Sequence, residues 1–184
     1  MRIITGSARG RPLVVPKGDR VRPTADRVRE ALFSALGPGR CVGAHVLDLY
    51  AGSGALGLEA ASRGAHACVL IERDSAACAA ITTNIERTGV HARLQRADVA
   101  NALGAPAPPE APFDLVFADP PYELAPGAIV DVLVALRHPG WCVADAVVVV
   151  ETAADTALEL PEGWRAIWER RFGSTLITFV EQES

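Results

Sequence analysis

The chain has 184 residues with 18 basic and 22 acidic side chains, which gives a formal net charge of −4. That total argues against a nucleic-acid partner, but the charges are unevenly distributed. Residues 1–30 contain eight basic and three acidic side chains, a local charge of +5, and the ten basic and nineteen acidic side chains of the remainder give −9. A basic arm attached to an acidic body is typical of proteins that contact a polyanion.

The length fits one domain, or one domain with a short extension, whose core needs no disulfide or metal. The four cysteines form no C-x-x-C pair and the four histidines are scattered, so we expect free core cysteines and no metal site. No apolar run reaches the roughly 20 residues of a membrane helix. We therefore expect a cytoplasmic monomer that does not bind a membrane.

The first thirty residues predict a small extension followed by a helix. Two short apolar stretches, 2–5 and 12–15, flank a turn rich in glycine and arginine, and this pattern predicts a β-hairpin. Thr24 is the expected N-cap of a helix over 25–36. The expected division is a basic β-hairpin extension over residues 1–23 and a larger domain over residues 24–184.

From residue 45 onward, strand patterns alternate with helix patterns. The predicted strands cover residues 45–50, 67–72, 92–96, 113–118, 146–151, 165–170 and 175–180, and the predicted helices cover 55–63, 75–88 and 126–136. This alternation predicts an α/β fold with a doubly wound, mostly parallel seven-stranded sheet that is covered on both faces. Only a short turn separates the last two strands, so we expect them to form an antiparallel hairpin at an edge.

A glycine motif follows the first of these strands. Gly52, Gly54 and Gly57 satisfy G-x-G-x-x-G between a strand and a helix, and Glu72 ends the next strand. Asp48, inside the strand, argues against a dinucleotide, because a buried carboxylate is better matched by a ligand with an ammonium group. S-adenosylmethionine has that group, together with a ribose diol for Glu72. A nicotinamide or flavin cofactor, and a plain turn with Asp48 satisfied by local backbone, remain alternatives.

A second motif, Asp119-Pro-Pro-Tyr122, directly follows the apolar strand over 113–118. Open α/β sheets bind ligands at the carboxyl ends of their strands, so both motifs should face one crevice. The Asp119 carboxylate and the Pro120 carbonyl can accept both hydrogens of an exocyclic amine on a nucleobase, while Tyr122 stacks on the ring. Methylation of such an amine needs no covalent enzyme intermediate. An ordinary turn after a strand is the alternative.

Together these motifs resemble the S-adenosylmethionine-dependent amino-methyltransferases. The block Arg22-Pro-Thr-x-Asp-Arg-Val-Arg-Glu-x-Leu-Phe33, followed by Leu49-Tyr-Ala-Gly-Ser-Gly-Ala-Leu-Gly-Leu-Glu-Ala60, closely resembles the bacterial 16S ribosomal RNA guanine-N2 methyltransferases of the RsmD type. The resemblance spans nearly the whole chain. It implies a class I, Rossmann-like methyltransferase domain over 24–184 that converts S-adenosylmethionine to S-adenosylhomocysteine. The implied product is N2-methylguanine in 16S rRNA, made on the 30S subunit or a late assembly intermediate.

The resemblance also implies which residues form the site. The expected catalytic residues are Asp119, Pro120, Pro121 and Tyr122, and the expected cofactor residues are Asp48, Tyr50, Ala51, Gly52, Ser53, Gly54, Leu56, Glu72, Arg73, Asp98, Val99 and Asp119. Asp98 matches the acid that lies near the adenine amino group in the family.

The basic arm predicts the RNA contacts, because the acidic body would otherwise repel a polyanion. The expected phosphate contacts are Arg9, Arg11, Lys17, Arg20, Arg22, Arg27 and Arg29. A solvated charged surface is the alternative for the arm. For the whole chain the alternatives are a DNA adenine-N6 methyltransferase, a protein glutamine methyltransferase and a non-catalytic RNA-binding assembly factor.

Overall fold

The structure, a computed structural model, describes residues 1–16, 23–121, 127–156 and 158–183. Its helices are α1 (Pro23–Leu36), α2 (Ala55–Ser62), α3 (Ser75–Thr88), α4 (Val99–Leu103) and α5 (Ala128–Leu136). Its strands are β1 (His45–Leu49), β2 (Ala67–Glu72), β3 (Arg93–Arg96), β4 (Phe113–Ala118), β5 (Cys142–Ala153), β6 (Trp164–Phe172) and β7 (Thr175–Gln182). No helix in these ranges is long and apolar enough to cross a membrane.

The seven strands form one sheet in the order β3-β2-β1-β4-β5-β7-β6. The strands from β3 to β5 are parallel, whereas β7 runs antiparallel to both β5 and β6. The predicted fold class, including the antiparallel hairpin at one edge, is confirmed. Because the chain winds outward from β1 in one direction and from β4 in the other, the order reverses between these two strands. Such a reversal opens a crevice at the carboxyl ends of the strands.

Alternate residues of the central strands enter two separate hydrophobic cores. Leu115 and Phe117 of β4 lie in the core under α1, α2 and α3, while Val116 between them lies in the core under α4 and α5. This alternation follows from the two-residue period of a strand. Because both faces are covered, the central strands contain almost only apolar residues, as the sequence predicted.

Helix α1 packs against β4, where the ring centroids of Phe33 and Phe117 lie 5.6 Å apart. Beyond its last residue, Arg40 donates from Nη2 to the carbonyls of Asp114 (3.2 Å) and Asp145 (2.7 Å), near the amino ends of β4 and β5. The helix starts at Pro23, so the prediction that Thr24 is its N-cap is wrong. Proline suits the first turn of a helix because the N–H that it lacks would have no partner there.

Residues 1–16, here called the N-terminal segment, form a hairpin with fewer paired residues than predicted. Only Arg2 and Pro12 make a β-bridge, with flanking backbone bonds such as Ile3 N to the Arg11 carbonyl (3.0 Å). The segment contributes buried side chains, including Ile3 and Leu13, to the core under α2 and α3. The division of the chain at residue 23 stays a prediction.

Two other elements differ from the sequence predictions. The five-residue helix α4 was missed, because it is too short to show helical periodicity; Asp98 caps it by accepting from Ala100 N at 3.0 Å. Strand β5 begins at Cys142, four residues before the predicted start, because a bulge between its pairings with Phe113 and Leu115 accommodates the exposed Ala144 and Asp145. The predicted start of α5 at residue 126 lies outside the described ranges.

Candidate active site

The two sequence motifs meet at the crevice between β1 and β4. The last residues of these strands, Leu49 and Ala118, are direct partners in the parallel ladder. The glycine loop, residues 50–54, therefore leaves the sheet beside Asp119, since neighbouring strands lie about 4.8 Å apart. Asp119 is exposed and Pro120 is half-buried. Pro121 is also exposed, and Tyr122 lies outside the described residues.

Asp48 is buried beneath the glycine loop and is bound by the start of α2. Its side chain is 2% exposed, and its Oδ2 accepts a hydrogen bond from Gly57 N at 2.8 Å. Burial raises the pKa of Asp48 to about 8; the hydrogen bond from Gly57 lowers it, and the charge of Glu72 raises it further. A Cβ on Gly57 would lie 3.0 Å from both Asp48 Oδ2 and Cys68 Sγ, so glycine permits this close approach. The local backbone contact that the sequence left as an alternative is thus present.

This arrangement distinguishes between the cofactors that the sequence allowed. A dinucleotide places its pyrophosphate against free N–H groups at a helix N-terminus. Here the Gly57 N–H of the first turn of α2 already donates to the Asp48 carboxylate, so a phosphate at this helix start would have one donor fewer and a carboxyl group nearby. A cationic ligand would favour the ionised form of that carboxyl. The residues therefore fit S-adenosylmethionine, which has an ammonium group and no phosphate, better than a dinucleotide.

Glu72, at the end of β2, is hydrogen-bonded to the glycine loop and to the two residues that follow β2. Its Oε2 accepts from Gly52 N at 2.8 Å, and its Oε1 accepts from Arg73 N at 2.7 Å and Asp74 N at 2.8 Å. Three backbone donors thus fix the carboxylate at the crevice. Oε2, which accepts only one of these bonds, has a further acceptor position that a ribose hydroxyl can use.

Tyr50 begins the loop in a backbone conformation that is uncommon for a residue with a side chain. Its φ is +59°, in the left-handed region. Burial raises the pKa of Tyr50, and the nearby charge of Asp98 raises it further. Strained residues of this kind cluster at ligand sites, where the surrounding structure holds them in place.

Asp98 follows the carboxyl end of β3, the strand next to β2. Besides capping α4, its Oδ2 pairs with Arg73 Nη1 at 3.2 Å. The other predicted cofactor residues surround the loop: Ala51 and Leu56 are half-buried, while Val99 and Ser53 are buried. Ser53 Oγ contacts the sulfur of Met1 at 3.5 Å. The structure therefore brings the described members of the predicted cofactor set to the carboxyl ends of the parallel strands.

The predicted RNA-contacting residues divide into three groups. Arg9, Arg11 and Arg27 are exposed. Lys17, Arg20 and Arg22 lie outside the described residues. Arg29 is the correction: its side chain is 4% exposed and bound within the protein, so it does not face solvent where a phosphate would lie. Its Nη2 donates to the Arg2 carbonyl and, at 3.1 Å, to Asp26 Oδ1, while its Nε lies 3.9 Å from Oε2 of the buried Glu59.

Two structurally important residues were missed by the sequence analysis. Glu59 and Asn84 are both 0% exposed. Glu59 accepts from the backbone N–H groups of Ile4 (2.7 Å) and Thr5 (3.0 Å), and Asn84 binds Val14. Each is a polar residue on an apolar helix face, in α2 and in α3. That pattern was visible in the sequence and would have indicated a buried polar partner.

A seven-stranded sheet of this order, with a glycine loop after β1 and an acid at the end of β2, is that of the class I methyltransferases, and Asp-Pro-Pro after β4 is the motif of their amine-modifying members. A family model described as Conserved hypothetical protein 95 matches residues 1–181. The chain belongs to this family, and the resemblance to the RsmD type is confirmed.

The relatives agree with this assignment. Ribosomal RNA small subunit methyltransferase D of Escherichia coli is 37% identical across 100% of this chain and 91% of that protein. The protein of the same name from Haemophilus influenzae is 36% identical over 94% of this chain and 89% of its own length. The solved structure of yhhF from Escherichia coli is 36% identical, covers 100% of this chain and 98% of that chain, and has a TM-score of 0.85.

Proposed function

We propose that this chain transfers a methyl group from S-adenosylmethionine to the exocyclic N2 amine of a guanine in 16S rRNA, on the 30S subunit or a late assembly intermediate. The observation that carries the proposal is the pairing of Leu49 with Ala118, which places the glycine loop beside Asp119-Pro-Pro. The names of the relatives, which are small-subunit rRNA methyltransferases, support the substrate class.

The cofactor residues act by charge and by hydrogen bonding. When bound, S-adenosylmethionine supplies an electrophilic methyl group on a sulfonium centre. In the proposal Glu72 accepts from its ribose diol, and Asp48 provides negative charge beneath the glycine loop toward its ammonium group. Asp98, one strand further out, accepts from the adenine amine.

The substrate residues act on the amine. The lone pair of an exocyclic amine is delocalised into the base, so the nitrogen is a weak nucleophile. In the proposal the Asp119 carboxylate and the Pro120 carbonyl each accept one amino hydrogen, which favours a pyramidal nitrogen with its lone pair directed at the methyl group. Tyr122 stacks on the base. The guanine has to leave its stack to reach the crevice, and the basic arm holds the surrounding RNA.

The proposed RNA contacts are Arg9, Arg11, Lys17, Arg20, Arg22 and Arg27, without Arg29. A 16S rRNA substrate implies that the chain acts in the cytoplasm, where ribosomes assemble, and we expect it to act as a monomer. The N-terminal residues 1–23 then serve as the RNA-contacting extension of the methyltransferase domain.

The test is product analysis. The pure protein is incubated with radiolabelled S-adenosylmethionine and, in separate reactions, 30S particles lacking the modification, free 16S rRNA and duplex DNA, and the nucleic acids are digested to nucleosides. We expect label in N2-methylguanosine from the 30S reaction. Label in N6-methyladenine, or in no RNA nucleoside, contradicts the proposal. Comparison of the 30S and free-rRNA reactions identifies the form of the substrate.

A further inference from the structure

The N-terminal segment is bound to α2 and α3 along its length. Besides the contacts to Glu59, Ser7 N donates to the Ser62 carbonyl at 2.8 Å and Ala8 N donates to Ser62 Oγ at 3.0 Å. The turn that carries the exposed Arg9 and Arg11 therefore lies between two anchored stretches, one at α2 and one at α3.

Asn84 of α3 links this segment directly to the glycine loop. Its Oδ1 accepts from Val14 N at 2.7 Å, and its Nδ2 donates to the Val14 carbonyl at 2.9 Å. The same Nδ2 donates to the carbonyl of Ser53 in the glycine loop, also at 2.9 Å. Since Nδ2 has two hydrogens, one serves the segment and the other serves the loop.

The geometry makes the two contacts interdependent. Asn84 is fully buried, so water does not replace a lost hydrogen-bond partner. Its side chain is short and its amide group is planar, so the oxygen and the nitrogen move together. Displacement of Val14 would either leave the amide half-satisfied or turn it away from Ser53. The docked position of the segment therefore favours the position of Ser53 seen here, and the reverse also holds.

We infer that Asn84 is a positioning residue that couples RNA contact at the N-terminal segment to cofactor contact at the glycine loop, so that each ligand strengthens the binding of the other. The inference rests on the proposed function for the identity of the two ligands. Both ligands favour the docked segment over a locally opened one, and the coupling is reciprocal because it is a free energy shared by two sites.

The test breaks the link from the side of the segment. Val14→Pro removes the N–H that binds Asn84 Oδ1, whereas the matched control Val14→Ala keeps it. The affinity for S-adenosylhomocysteine, which does not react, is measured by equilibrium dialysis with and without saturating 16S rRNA. We expect rRNA to tighten binding by about fivefold or more in the wild type and in Val14→Ala. In Val14→Pro we expect a factor near one.

A second variant addresses the same link from the helix. Asn84→Asp retains the acceptor for Val14 N and removes the Nδ2 donor to the Val14 and Ser53 carbonyls. Its control is Thr88→Val, which removes a buried bond within α3, from Thr88 Oγ1 to the Asn84 carbonyl, without altering the segment or the loop. Loss of coupling in Asn84→Asp and its retention in Thr88→Val are expected. If Val14→Pro does not fold, this pair decides the question.

Hydrogen exchange in the ligand-free protein separates this inference from the proposed function. The Gly52 and Gly54 amides, which donate to Glu72 and to the Ala51 carbonyl, should exchange faster in Val14→Pro than in Val14→Ala. Equal exchange, or a coupling factor near one in the wild type, overturns the inference. A protein that shows the exchange difference but binds no S-adenosylhomocysteine retains the mechanical link and loses the proposed function.

Discussion

The carboxylate of Glu59 lies 3.9 Å from Nε of Arg29, and both side chains are buried. Glu59 also pairs with Arg63 Nε at 2.8 Å and accepts from two backbone N–H groups of the N-terminal segment. It therefore joins α1, α2 and the segment at one point. The two sequence blocks on which the family resemblance rests, one in α1 and one around α2, are thus in contact with each other.

This contact predicts a stability difference between two arginines of α1. Arg29→Met leaves Glu59 with less compensating charge, and we expect a loss of about 2–3 kcal/mol in the free energy of unfolding, less than the about 3–5 kcal/mol of a buried pair that loses its only partner, because Arg63 remains. Arg27→Met changes an exposed side chain on the same helix and should alter stability by less than about 0.5 kcal/mol. Urea unfolding of both variants gives the comparison. Equal losses would mean that Glu59 does not need Arg29.

The sequence predicted the sheet and both motifs because these signals are local. A continuous apolar run such as 113–118 predicts a buried parallel strand, and a glycine motif between a strand and a helix predicts a ligand loop. The roles of Arg29 and Asn84 depend on tertiary partners 30 or more residues away, at Glu59 and Ser53. A single sequence shows that a residue is charged or polar, but it does not show which element packs against that residue.

Asp48 should make stability depend on pH. Its pKa is raised to about 8 in the folded protein, against about 3.9 when unfolded, so between these values the folded state holds a proton that the unfolded state has lost. Stability from this group therefore falls as pH rises from about 4 to about 8. Asp48→Asn does not titrate and can still accept from Gly57 N. We expect the variant to gain stability relative to the wild type over this range.

The measurement for Asp48 is urea unfolding of wild type and variant at several pH values between about 5 and 8. Other titrating groups contribute equally to both proteins, so the difference between them reports on this carboxyl alone. Parallel pH profiles would contradict burial of a carboxyl group with a raised pKa.

The exposed arginines of the N-terminal segment should determine the salt dependence of RNA binding. Each phosphate contact that is lost lowers the slope of log K against log salt by about 0.7–0.9. We expect Arg9→Gln with Arg11→Gln to weaken rRNA binding and to flatten this slope by up to about 1.4–1.8 units. The affinity for S-adenosylhomocysteine without RNA should not change.

A matched control for the arginine pair uses one arginine from each of the two outermost strands of the sheet. Arg93 of β3 pairs with Glu110 and Arg165 of β6 pairs with Glu181, so Arg93→Gln with Arg165→Gln removes the same total charge. This double variant should leave the salt slope unchanged. A similar flattening in both double variants would indicate that RNA responds to net charge rather than to the segment.

Asp119 should contribute to the rate of methyl transfer. We expect Asp119→Ala to lower the single-turnover rate on the order of 10²–10³-fold, the effect of losing one electrostatic contact to the reacting group. Asp155 is a suitable control. It is also an exposed acid that follows the carboxyl end of a strand, in this case β5, which is parallel to β4. Asp155→Ala should retain the wild-type rate. Undiminished activity of Asp119→Ala would remove this carboxylate from the mechanism.

A side chain at Gly54 should destabilise the protein both through its positive φ and through a steric contact, and Gly89, which has only the positive φ, separates the two effects. Its φ is +77°, and an added Cβ would lie 2.9 Å from Cδ2 of Leu70, which is fully buried. Gly89 has a similar φ of +67° with no atom within 4 Å of that position. Gly89→Ala should therefore lose only the about 1–2 kcal/mol of a left-handed conformation, while Gly54→Ala should lose about 1–3 kcal/mol more from overpacking. Urea unfolding measures both losses, and weaker S-adenosylhomocysteine binding should accompany only Gly54→Ala; equal losses would mean that Leu70 can move aside.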